Sequence, residues 1–152
     1  MAFLLRSPAF EPGEAIPKKF TVDGDNISPP LRWSDPPAGT KSFALIVEDP
    51  DAAAGTFRHW GICNIGAEKR RLPEGFGADG EDACLGINDF GNKSYDGPEP
   101  PAGDDAHHYH FKLAALDTGH IDLPRKPLAQ DLWRAVAPHI IAETEIIGLY
   151  QR

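Results

Sequence analysis

Residues 42–48 read Ser-Phe-Ala-Leu-Ile-Val-Glu, and residues 107–116 read His-His-Tyr-His-Phe-Lys-Leu-Ala-Ala-Leu. The first is a continuous apolar run bounded by Thr40 and Pro50. It is too short for a helix and reads as a buried central strand. The second reads as another strand, and His59–Ile65 (HWGICNI) as a third. Side chains alternate between the two faces of a strand. Phe43, Leu45 and Val47 therefore share a face with Asp49, where the first strand ends. His107 and Tyr109 share a face with Phe111 and Leu113, while His108, His110 and Lys112 point to the opposite, polar side.

Outward from these strands the chain is punctuated by turn residues. Residues 1–40 carry Pro8, Pro12-Gly13, Pro17, Gly24, Pro29-Pro30 and Pro36-Pro37, with short strands expected at Lys19–Val22 and Leu31–Trp33. Residues 66–103 are turn-rich. Leu128, Leu132, Ala135 and Val136 form one apolar helical face that Pro138 should end or kink. Thr144–Tyr150 reads as a closing strand. The 15 glycines and 15 prolines interrupt the chain too often for long bundles or coiled coils. The expected architecture is mostly β with one or two short peripheral helices, and 152 residues without a composition break suit one domain, 1–152.

Fifteen Lys and Arg against 23 Asp and Glu give a net charge of −8, which argues against nucleic acid as a partner. The cluster Lys69-Arg70-Arg71 reads as a solvated loop. No run approaches the roughly 18–20 apolar residues of a membrane span. Met1–Arg6 lacks a signal-peptide core, so the expected compartment is the cytoplasm. Cys63 and Cys84 have no CxxC spacing and read as reduced thiols. Cys63 is placed by parity on one strand face with Gly61 and Ile65. Reductant and chelator are then expected to leave the thermal midpoint unchanged.

Asp49-Pro50-Asp51 is a turn carrying two carboxylates, since Pro50 cannot continue the ladder. The segment Asp104–His110 (DDAHHYH) resembles a metal box, but alternation cannot aim His107 and His108 at one ion. His107 and Tyr109 form the sharper pair, beside the stiff loop Gly97-Pro98-Glu99-Pro100-Pro101-Ala102-Gly103, a suitable wall for a small pocket. A core histidine and a core tyrosine with its hydroxyl tied down would give the same pattern. GxSxG, P-loop and GxGxxG patterns are absent.

Taken together, several long motifs in order make the chain resemble the phosphatidylethanolamine-binding protein (PEBP) family, in its bacterial Raf-kinase-inhibitor-like or YbhB/YbcL branch. They are SPAFEPGEAIPKKFTVDGDNISPPLRWSDPP (7–37), SFALIVEDPDA (42–52), FRHWGICNI (57–65), GINDFGNKSYDGPEPPAG (86–103), HHYHFKLAALD (107–117) and IIAETEIIGLYQR (140–152). The resemblance implies a large antiparallel sheet packed on a smaller one. It also implies a small pocket for phosphate-like groups and phospholipid headgroups. By motif, its residues would be Asp49 and Asp51, His59, Gly97, Pro98, Pro100 and Pro101, and His107 with Tyr109. His59, His107, the Tyr109 hydroxyl and loop N–H groups would donate to oxyanion atoms, with Asp49 or Asp51 orienting a histidine.

Two departures from the family pattern carry expectations. Ala53 stands where the family reads Pro, which favours a trans turn and a reshaped rim. His108 stands where it reads Arg, which removes an outer-face ion pair. The function implied is binding of a phosphate or phosphoryl headgroup, possible regulatory use included, with no catalysis, cofactor or metal and with a homodimer allowed. The alternatives are a metal-dependent hydrolase built from the same His and Asp residues, and a partner-binding scaffold with a vestigial pocket.

Overall fold

The computed structural model describes residues 2–77 and 84–152. Its strands are β1 (Leu4–Arg6), β2 (Leu31–Ser34), β3 (Ser42–Asp49), β4 (Phe57–Gly66), β5 (Arg71–Leu72), β6 (Cys84–Leu85), β7 (His107–Leu116) and β8 (Ile140–Tyr150). One helix, α1 (Ala129–Val136), precedes β8. The strands make a five-stranded antiparallel sheet, β6-β4-β3-β7-β8, and a three-stranded one, β1-β2-β5. This is the mostly β fold expected, a large sheet packed on a smaller one with little helix.

The main core lies between the sheets. Leu5, Leu31, Trp33 and Leu72 of the small sheet meet Phe43, Leu45, Val47, Ile62, Phe111 and Leu113 of the large one. A second cluster covers the far face of the large sheet, where Leu132 and Val136 of α1 pack on Ala44, Ala114 and Leu116. Each Leu, Ile, Val or Phe among them contributes about 1.5–3 kcal/mol when fully buried. The helix comes close because β4 has Gly61 beneath it; a Cβ there would lie 3.1 Å from that of Ala129.

The strand parity read from the sequence holds in β3 and β7, but three local expectations do not. Lys18–Phe20 is a 3-10 turn rather than part of a strand. The Thr21 hydroxyl donates to the Lys18 carbonyl and accepts from the Asp23 N–H, which closes the chain into a turn. Leu128 caps α1 and is half exposed instead of lying on its buried face. β8 begins at Ile140, four residues early, directly after the 3-10 turn that contains Pro138.

The cysteines are the largest correction. Cys63 and Cys84 sit opposite each other in the β4–β6 ladder, with Cα atoms 5.2 Å apart, and form a disulfide. That separation is the usual one for the bond. The parity given to Cys63 holds for Gly61, which also lies under α1, but fails for Ile65. Phe43 pairs with Ile65 but Leu45 pairs with Ile62, so β4 carries one extra residue. Asn64 absorbs it at φ 56°, and its amide clamps both backbone groups of Ile121. Ile62 and Ile65 consequently face the main core, whereas Cys63 joins the cluster under α1.

Candidate functional site

Because β3 and β7 are antiparallel, the end of one lies beside the start of the other, with Glu48 opposite His110. Asp49 thereby meets His107. The His107 Nδ1 lies 2.7 Å from Asp49 Oδ2, and its Nε2 lies 3.0 Å from Asp104 Oδ2. Carboxylates only accept, so both ring nitrogens donate and the ring is an imidazolium. Burial opposes that charge, yet the hydrogen bonds to Asp49 and Asp104 outweigh it and raise the pKa of His107. A raised pKa stabilises the fold fully below the unfolded value of about 6.5, and the gain is lost as pH climbs through the folded value. Acid-to-neutral thermal melts should therefore show a loss of stability above about pH 6.5 that His107→Ala removes; equal slopes in the two proteins would assign it elsewhere.

His59 reaches the same place through a second irregularity. Val47 pairs with Trp60 and Glu48 with Arg58, leaving His59 as the unpaired residue of a β-bulge. Bulges re-aim side chains in this way. The His59 carbonyl, lost to the ladder, accepts from Asp96 N–H and Asn88 Nδ2, both at 3.3 Å. Its Nδ1 lies 2.8 Å from the Asp96 carbonyl, which fixes the hydrogen on Nδ1. Burial pushes the His59 pKa down, so the ring stays neutral. It therefore offers a ligand a bare Nε2 acceptor, not the donor expected from the sequence.

The loop behind His59 is held by Asn88, 2% exposed. Its Nδ2 donates to Ser94 O and Asp96 Oδ2, both at 2.8 Å, while its Oδ1 accepts from Phe90 and Asn92 N–H. Asn26 donates to the other Asp96 oxygen at 2.8 Å and accepts from Gly97 N–H. Asn88→Ala strands several of these groups and should cost about 2–3 kcal/mol, at the upper end for a point substitution. Urea unfolding measures it, and a change within about 0.5 kcal/mol, the range of ordinary surface substitutions, would refute the assignment.

These elements enclose a cavity of about 250 Å³. Of the nine residues expected at the site, Asp49, His59, Pro100, Pro101, His107 and Tyr109 line it, and Asp51, Gly97 and Pro98 do not. Asp51 turns outward to His108, accepting from its N–H and Nδ1 at 2.8 Å, bonds that lower the Asp51 pKa. Position 108 thus retains an acidic partner despite the change from Arg. Gly97 packs against the backbone of Phe20 and Thr21, where no Cβ would fit, and the Pro98 carbonyl accepts from Val22 N–H. Both hold the loop in place from behind.

The sequence reading missed the apolar wall. Phe57 and Phe90 flank His59 at ring distances of 4.8 and 5.6 Å, and Ala52–Ala54 form the rim. No described peptide bond is cis, so the rim turn is trans, as Ala53 implied. Glu99 stands at the mouth. Tyr109, 1% exposed, presents a hydroxyl with no hydrogen-bond partner among the described residues. Burial and the nearby Asp49 push its pKa up, so it keeps its proton and can donate. Among the described residues no three His, Cys, Asp or Glu are grouped to hold a metal ion. On the outer face His110 pairs with Glu145 at 3.2 Å, apart from the His108–Asp51 pair.

This fold and site define a family. The model of the phosphatidylethanolamine-binding proteins matches residues 6–151, and the chain belongs to that family. Within it the chain falls in the YbhB/YbcL branch. The crystal structure of Escherichia coli YbcL, titled a new member of the mammalian PEBP family, superposes with a TM-score of 0.93 at 34% identity, covering 100% of this chain and 99% of that one. The UPF0098 protein YbhB of Escherichia coli is 41% identical over 84% of each chain. A UPF0098 protein of Aquifex aeolicus is 45% identical over 96% of this chain and 86% of its own.

Proposed function

We propose that the chain binds a small phosphoryl-type oxyanion in this cavity and does not transform it. The Tyr109 hydroxyl carries the reading. It is buried, protonated and without a partner among the described residues, on a ring that lines the cavity 6.4 Å from that of His107. A buried hydroxyl without a partner costs about 1–3 kcal/mol, which an oxyanion would recover. Family membership supports the same class of ligand. Asp49 does not repel it outright, since its charge is matched by His107 at 2.7 Å. Calorimetry with inorganic phosphate and phosphorylethanolamine tests the proposal. Tyr109→Phe should weaken binding by about tenfold, one hydrogen bond to a charged group; undiminished binding would remove the site.

The hydrolase alternative has less support. Both His107 nitrogens and the Nδ1 of His59 are engaged within the protein, which leaves few free ligands for a metal. Stoichiometric zinc, iron or manganese in the purified protein would reverse that judgement. The Cys63–Cys84 disulfide favours an oxidising compartment over the cytoplasm expected from the sequence. No helix among the described residues is long and apolar enough to cross a membrane.

A further inference from the structure

The hydrogen-bonding capacity left free at the cavity is unlike that of a site for a fully deprotonated anion. Both N–H groups of His107 are committed to Asp49 and Asp104. Asp49 accepts from His107 with one oxygen and from Asp51 N–H with the other. Among the described residues no Lys or Arg lines the cavity. Three polar side-chain groups remain: the Tyr109 hydroxyl, the Nε2 of His59 and the Glu99 carboxylate. None of the three has a partner among the described residues. The hydroxyl can donate, whereas the Nε2 of the neutral His59 ring can only accept.

We infer that the cavity selects an oxyanion that still carries a proton, with His59 Nε2 as the acceptor of that proton. Hydrogen phosphate, or a phosphate monoester in its monoanionic form, would then be preferred over sulfate and over phosphodiesters. The P–O–H group donates to Nε2 while another oxygen accepts from Tyr109. The proton stays on the ligand and no covalent bond changes. Sulfate and diesters have no such proton, so they would set an oxygen lone pair against that of Nε2. A site built to pair a hydroxyl rejects analogues that lack it, because its own group is left unpaired. The inference rests on the oxyanion reading above and adds His59 as its specificity determinant.

The titratable groups around the ligand are Asp49, His107 and Tyr109 on the strands and Asp89, Asp96, Glu99 and Asp104 on the loops. Their effects must be separated from that of the ligand's own proton, and a ratio of affinities does so. Calorimetry on the full chain uses inorganic phosphate, sulfate, methyl phosphate and dimethyl phosphate. Phosphate should bind at least about tenfold tighter than sulfate at pH 6, one hydrogen bond's worth of discrimination. The affinity of methyl phosphate relative to dimethyl phosphate should fall about tenfold per pH unit above the monoester's second pKa, near 6. His107 acts on both esters and cancels from that ratio.

His59→Asn can keep a donor to the Asp96 carbonyl but lacks the distal ring nitrogen. It should weaken phosphate by about tenfold and bring the phosphate-to-sulfate ratio within about threefold. Sulfate binding as tightly as phosphate, or an ester ratio flat with pH, overturns the inference while leaving the oxyanion site standing. Failure of all four probes to bind would overturn both. Should the Asn variant not fold, the wild-type ratios decide.

Discussion

His107→Ala is expected to lower the affinity for inorganic phosphate by roughly tenfold to a hundredfold, and His110→Ala to leave it within about twofold. The two changes remove the same side chain three positions apart on β7, and strand alternation sends them to opposite faces. His107 is 6% exposed and supplies the positive charge at the cavity, whereas His110 sits on the outer face against Glu145. Both N–H groups of His107 are engaged by Asp49 and Asp104, so the oxyanion loses a nearby charge and not a hydrogen bond; at an effective dielectric of about 20 and about 6–10 Å that is worth about 1.5–3 kcal/mol, and 1.4 kcal/mol is a factor of ten. His107→Ala also leaves Asp49 buried without its counter-ion, and breaking such a pair from one side costs about 3–5 kcal/mol of stability. Thermal melts must therefore accompany the calorimetry, and binding is compared well below the variant's midpoint. His107→Gln, which retains a donor to Asp49, should fold better than Ala and still bind weakly. Equal binding by the Ala variants would place the site elsewhere. A failure confined to His110→Ala would place the anion on the outer face of the sheet, beside Glu145.

What the sequence disclosed follows from the range over which each signal acts. Alternation is a property of neighbouring residues, so SFALIVE and HHYHFKLAAL were enough to put Asp49, His107 and Tyr109 on one face. Pairing between strands is not local. Each bulge in β4 adds one residue to one strand only, and nothing in FRHWGICNIG marks His59 or Asn64 as that residue. Asn64 at positive φ is the one available hint, since Asn tolerates the left-handed region, but Asn88 and Asn92 do not adopt it. The clasp of Asn26, Asn88 and Asp96 joins residues up to 70 positions apart, and so leaves no periodic trace. Motif matching erred in a related way. It grouped Gly97 and Pro98 with Pro100 and Pro101 because they are adjacent in the chain, yet the first two face Phe20–Val22 and the last two the cavity. Asp104 escaped notice because it lies in what read as a metal box, where its partner is His107 through the ring and not through an ion.

Loss of the Cys63–Cys84 bond is expected to cost about 3 kcal/mol, by reduction or by Cys63→Ala with Cys84→Ala. The cysteines are 21 residues apart, and opening that loop returns chain entropy to the unfolded state. For a chain of this size the cost corresponds to a fall of roughly 6–12 °C in the thermal midpoint. Beyond the bond, β6 is a weak element, two residues long and paired with β4 only at Ile62–Leu85 and Cys63–Cys84. The segment that follows β6 has anchors of its own. Gly86 N–H donates to Gly61, Ile87 N–H to Pro127, and Asn88 holds the loop that carries Phe90 and Asp96. Reduction should therefore loosen the β6 edge and leave the cavity formed, so phosphate affinity at 25 °C should change by less than about twofold, as for a change remote from the contacts. Scanning calorimetry with and without reductant, beside the double alanine variant, separates the effects, since only the wild type should respond to reductant. Two free thiols titrating in the native protein, with a midpoint indifferent to reductant, would restore the reduced pair read from the sequence. An affinity that collapsed on reduction while the fold persisted would show instead that the disulfide, and not Asn88, holds the wall of the site.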